Sequence, residues 1–198
     1  MPEFITLFLI LNNFIRLILL HIMNETGFIP WSNEYRLNWS DFKAESNPAK
    51  FEDSHSVIKY GFTWIVNSEK LNDVIVFSID NIQLSVEFQP LLSWVRSSEA
   101  NNTLLKHEQG HFDLAEMIKR NHQNIFESKL TCQVFPTRGQ NDAQRKQFAK
   151  EDSGKMIANE VDKLTKILSN KREEYDVETN FGKNLEMQLK YDQLFKNL

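Results

Sequence analysis

The feature that most constrains the fold is Leu105-Lys106-His107-Glu108-Gln109-Gly110-His111-Phe112-Asp113, a His-Glu-x-x-His motif inside a segment whose spacing predicts helix. On a helix, residues four apart lie one above the other, with side-chain origins roughly 6 Å apart, so His107 and His111 can offer two imidazole nitrogens to one tetrahedral zinc ion. Glu108 projects from a neighbouring line of the helix, suited to taking a proton from an attacking water and passing it to a leaving amine. The apolar line runs through Leu104, His111, Ala115, Ile118 and Ile125, with Leu114 beside it. Both histidines therefore fall on the stripe that faces the core. A buried polar group without a partner costs roughly 1–3 kcal/mol, and a shared metal satisfies two imidazoles at once. The bland alternative is a pair of core histidines with ordinary hydrogen bonds.

Other polar residues of this helix are poor third ligands. Asp113 and Glu116 fall about 130–160° from the line joining the histidines, taking 100° per residue. His122 shares the histidine face but lies roughly 16 Å farther along the axis, which suits a packing or surface role.

The chain has 198 residues, 41% hydrophobic and 25% charged, the composition of one ordinary globular domain with a sizeable core. A net charge of −4 and a pI near 5.8 argue against a nucleic-acid grip. The short basic pairs Lys119-Arg120 and Lys171-Arg172 read as solvated helix surface. Cys132 is the only cysteine, so no intrachain disulfide forms, and a buried, inert thiol is its expected role. Residues 1–23 form an apolar N-terminal segment, but Asn12, Asn13 and Arg16 interrupt Phe4 to Ile22, Glu3 leads it and no Ala-x-Ala-like site follows. An uncleaved membrane anchor, an atypical export signal and a false start with Met23 as the true first residue all fit. Association with a membrane through residues 4–22 belongs to the first of these, and a cytoplasmic protein to the last.

Residues 24–198 read as a single domain. Residues 24–50 resemble an ordered coil held by Trp31 and Trp39. Ile58, Tyr60, Phe62 and Trp64 alternate as one strand face, Val74 to Ile79 is a denser apolar run, and Ile82, Leu84, Val86 and Phe88 alternate again before Pro90. Turns at Asn72-Asp73 and Asp80-Asn81 would make these an antiparallel meander. A short helix is expected over Leu91 to Val95 and a long one over Asn102 to Leu130. A loop follows at Pro136 and Gly139, then a second long helix over Asp142 to Glu174. A last helix lies within Tyr175 to Leu198, with Leu185, Leu189 and Leu194 as its apolar contacts. Strands first and helices afterwards predict an α+β fold, a small antiparallel sheet packed on long helices.

Four blocks carry a family likeness: Leu37-Asn38-Trp39-Ser40-Asp41-Phe42-Lys43, Ser93-Trp94-Val95, the stretch from Leu104 to Asp113, and Tyr175-Asp176-Val177-Glu178-Thr179-Asn180-Phe181-Gly182. In that order, from Trp31 onward, the chain resembles a bacterial domain-of-unknown-function family described as predicted secreted zinc-dependent proteases. The resemblance implies a zincin-like fold and a secreted, periplasmic or membrane-anchored protein. It also implies zinc on His107 and His111, with Glu108 as acid and base. The family pattern has histidine, the natural third ligand, where this chain has Phe181, and a later tryptophan is replaced by Tyr191. Phenylalanine cannot ligate zinc, so Glu178, Asp176 or His55 must supply the third ligand, or the site is degraded. The expectation is therefore a zinc metallopeptidase acting on a peptide or protein. The alternative is a catalytically impaired homologue that binds peptides or envelope proteins along its sheet edge.

Overall fold

A computed structural model of the chain describes residues 27–72, 74–131 and 133–198. The apolar segment 1–23 and Cys132 lie outside the described residues, and so does Asp73. Among the described residues no helix is long and apolar enough to cross a membrane.

The architecture is α+β, as its sequence order predicts. Strands β1 (Ile29–Pro30), β2 (Ser54–His55), β3 (Ile58–Leu71), β4 (Val74–Phe88) and β5 (Trp94–Val95) precede helix α1 (Asn102–Leu130). Strand β6 (Val134–Pro136) and helices α2 (Asp142–Thr179) and α3 (Leu185–Phe195) follow. The main sheet is antiparallel, with β4 between β3 and β1 and with β6 also paired to β4. β2 and β5 form a separate two-stranded ribbon.

β3 and β4 make one long hairpin rather than a meander. Leu71 pairs with Val74, and Asn72 takes the left-handed conformation (φ 47°) at the turn. Asp80-Asn81 is not a turn. Thr63 pairs with Gln83 and Ile65 with Asp80, so Asn81 and Ile82 together oppose Trp64. Asn81, at φ 48°, forms a bulge inside a continuous strand. An extra residue flips side-chain parity, which is why Phe77 and Ile79 before it and Ile82, Leu84, Val86 and Phe88 after it all reach the core. This explains a dense apolar run followed by strict alternation in the sequence.

Three further expectations change. Leu91 to Val95 is a 3₁₀ turn at Pro90–Leu92 followed by β5, not a short helix. Pro136 ends a strand instead of opening a loop. On α3 the leucines face solvent, with Leu185, Leu189 and Leu194 each more than half exposed. The buried line is Gln188 and Phe195, with Tyr191 half-buried between them. Gln188 can sit inside because its amide donates to the Tyr175 hydroxyl (2.8 Å) and to Asp192 (3.1 Å).

α1 begins at Asn101, whose side chain accepts from the Leu104 amide (3.0 Å). Its buried side carries Leu104, His107, His111, Phe112, Leu114, Ala115, Ile118 and Phe126, while Ile125 turns outward. The coil before β2 is pinned to this helix. The Trp31 indole donates to Asp113 (2.9 Å), and Trp39, Phe42, Phe88 and Phe112 touch in series, with ring centroids 5.0 to 6.0 Å apart. α2 packs on β3, where the Trp64 indole donates to Ser153 (2.9 Å) and Gly154 leaves room for its ring. α2 also runs five residues beyond Glu174, through Tyr175 and Asp176 to Thr179, and ends on Asn180 in the left-handed conformation. That extra turn brings the Tyr175–Gly182 block against the histidines.

Candidate metal centre

His107 and His111 are almost fully buried, at 1% and 3% exposure. Their Nε2 atoms each lie 3.0 Å from the same oxygen, Oδ1 of Asp176. One ligand atom from each of the three residues lies within 4.8 Å of the others, which is the spacing of a metal triad. Asp176 is therefore the carboxylate that joins the histidine pair. The other two candidates stand aside. Glu178 accepts from the Tyr191 hydroxyl (2.7 Å), and His55 pairs with Glu52 (3.2 Å). Phe181 is half-exposed on the cleft wall, its ring 6.5 Å from that of His107.

Each member of the last block has a physical task. The Tyr175 ring stacks on His107 (4.7 Å, 8°) and meets His111 edge-on (5.0 Å), fixing both planes. The Thr179 hydroxyl donates to the Tyr175 carbonyl (2.6 Å) and so can only accept from Nδ1 of His107 (3.3 Å). His107 Nδ1 then carries the proton, and its Nε2 presents a lone pair to Asp176. Two lone pairs 3.0 Å apart require a proton or a metal cation between them. Burial, with the nearby Arg172 charge, pulls the His111 pKa down to about 4, so this imidazole is a neutral ligand at neutral pH. His111 Nδ1 is buried without a hydrogen-bond partner. The donor set of two imidazoles and one carboxylate fits zinc.

Gly110 and Gly182 let these parts approach. A Cβ on Gly110 would stand 2.1 Å from the Tyr175 hydroxyl, and one on Gly182, at φ 80°, would stand 2.8 Å from Cβ of His107. Alanine normally favours a helix interior over glycine by about 1 kcal/mol. Gly110→Ala is nevertheless expected to destabilise the protein by roughly 1–3 kcal/mol, because Tyr175 must be displaced. Thermal unfolding checks the sign, and a raised Tm would mean that Tyr175 does not pack there.

Glu108 is 3% exposed and lines the same cleft. The Ser54 hydroxyl donates to its Oε1, and its Oε2 is buried without a partner. Burial alone would raise its pKa. The neighbouring His111, the hydroxyls of Ser54 and Ser56, and His107 together outweigh burial and hold it below the usual carboxylate range. The cleft encloses about 690 Å³, with residues 51–55, which run into β2, on one side and α2 residues from Ser169 to Val177 on another.

Arg172 also lines this cleft, so it is not the solvated surface residue that the Lys171-Arg172 pair suggests. Neither it nor the serines Ser54 and Ser56 carries a sequence signal. Asp113 is bonded by Trp31 and Gln109, Glu116 by Lys119 and Arg120, and His122 approaches the Ile118 carbonyl (2.8 Å). None of the three joins the metal group. The chain matches no protein-family profile, no curated protein and no solved structure.

Proposed function

We propose that the chain is a zinc metallopeptidase whose ligands are His107, His111 and Asp176 and whose proton carrier is Glu108. The observation that carries this reading is the convergence of two imidazole nitrogens on one carboxylate oxygen, each at 3.0 Å, beside a buried carboxylate that is not part of the triad. Zinc held there would supply a Lewis acid that polarises a carbonyl and acidifies water. The chain's own residues do the rest. Glu108, ionised and held by the Ser54 hydroxyl, accepts a proton from the attacking water and returns it to the leaving amine. Tyr175 and Thr179 hold the His107 ring so that Nε2 faces the triad. The short strand β2 at the cleft wall suits an extended peptide laid beside it, which is why a peptide bond is the favoured substrate. The likeness of four sequence blocks to the zinc-dependent protease family supports the same reading, including its expectation of export.

The test is metal content. Protein purified without a histidine tag is expected to carry about one zinc per chain, and a chelator is expected to lower its Tm by on the order of 5–10 °C. The His107→Ala/His111→Ala double mutant should hold no zinc and should not respond to chelator. Equal zinc content in the two proteins would overturn the assignment. Full zinc occupancy without cleavage of any member of a broad peptide library would favour the peptide-binding homologue instead.

A further inference from the structure

Arg172 lies one turn before Asp176 on α2, so both side chains leave the helix on the same face, and both line the cleft. Its Nη1 donates to the Ser56 carbonyl (2.8 Å) and its Nη2 to the Ser56 hydroxyl (3.3 Å). These bonds fix the planar guanidinium against the chain between β2 and β3. They use two of its five N–H donors, and both acceptors are neutral. The side chain is half-buried, yet among the described residues no carboxylate lies within ion-pair distance of it. Lys183, at the same cleft, has Asp53 at 3.7 Å. Taking a cation out of water is unfavourable unless an anion touches it, and burial accordingly pulls the Arg172 pKa down against the more distant charges of Glu108, Asp176 and Glu52. Its charge still reaches Glu108, Asp176 and His111.

We propose that Arg172 binds a substrate oxyanion beside the His107, His111 and Asp176 centre. This rests on the metallopeptidase reading and deepens it, because it names the group that offsets negative charge developing on the scissile carbonyl. A guanidinium fixed on the cleft wall is effective there, since its donors are already aimed when charge appears. The same planar fork suits the carboxylate of a free peptide C-terminus. Both sources share one chemistry, an oxygen anion next to the metal position.

The experiment uses the full chain loaded with Co²⁺, whose visible bands report ligands at the metal. It is titrated with methylphosphonate as a tetrahedral anion, acetate as a planar one and imidazole as a neutral control. Arg172→Met is expected to weaken anion binding tenfold or more, to leave imidazole within twofold and to leave the starting spectrum unchanged. Arg172→Lys should recover part of the loss, because it keeps the charge without the fork. A larger loss for methylphosphonate assigns the residue to the tetrahedral oxyanion, and a larger loss for acetate assigns it to a C-terminal carboxylate. Unchanged affinity for both anions in a cobalt-loaded Arg172→Met protein would overturn the proposal and leave the metal reading intact. Failure of the wild type to take up Co²⁺ would overturn both. Should Arg172→Met not fold, Arg172→Lys decides: a threefold or greater loss for either anion supports the fork, and no loss rejects it.

Discussion

Asp176→Ala is expected to weaken zinc binding by a hundredfold or more, about 2.7 kcal/mol, while the fold persists. The residue supplies the only negative charge of the triad, and its Oδ1 lies 3.0 Å from both imidazole Nε2 atoms. Burial would raise its pKa, but His107 and His111 beside it outweigh burial and hold the carboxyl far below the ordinary range. Its side chain is 26% exposed, so truncation opens no sealed cavity, and loss of metal is the dominant effect. Asp176→Asn keeps the shape and one neutral oxygen and should fall between the two. Competition against a chromophoric chelator measures each affinity. An unchanged affinity in Asp176→Ala would move the third ligand elsewhere, with His55 on the cleft wall the next residue to test.

The same residue shows where the sequence is readable and where it is not. α1 is legible from end to end, because its apolar stripe and its Asn101 cap follow the 3.6-residue period. The His-Glu-x-x-His motif on that stripe gives directly two of the three residues that could hold a metal ion, and the proposed proton carrier. α2 is legible only as far as aliphatic residues mark its buried line. Beyond Leu168 that line passes to Tyr175 and Thr179, which are buried because they stack on and hydrogen-bond to His107, a partner more than sixty residues away. No local pattern records such a contact. Arg172 is hidden for a related reason, since a Lys-Arg pair on a helix has the same composition whether it faces water or a cleft. On α3 the error runs the other way: leucines at helical spacing mark a face that stays in solvent, while a hydrogen-bonded glutamine occupies the interior. The bulge at Asn81 is written in the sequence as a change of hydrophobic parity, which two turns would explain as well as one long strand.

Glu108→Gln is expected to lower peptidase activity a thousandfold or more and to leave zinc in place. Glutamine preserves the side-chain shape, and its amide oxygen can still accept from the Ser54 hydroxyl that now bonds Oε1. The variant therefore keeps the packing around the helix. What it removes is the carboxylate, whose pKa the neighbouring His111, the Ser54 and Ser56 hydroxyls and His107 hold down against the effect of burial. An amide cannot accept a proton, so the attacking water loses its base and the leaving amine its acid. Zinc should remain, because Glu108 contributes no atom to the His107, His111 and Asp176 group. Cleavage of an unfolded protein panel, read by mass spectrometry beside metal analysis of the same sample, separates the two effects. Activity within tenfold of wild type would remove Glu108 from the chemistry. Activity and zinc lost together would make it a support for the ligands instead, holding the β2 segment through Ser54 against the helix that carries both histidines.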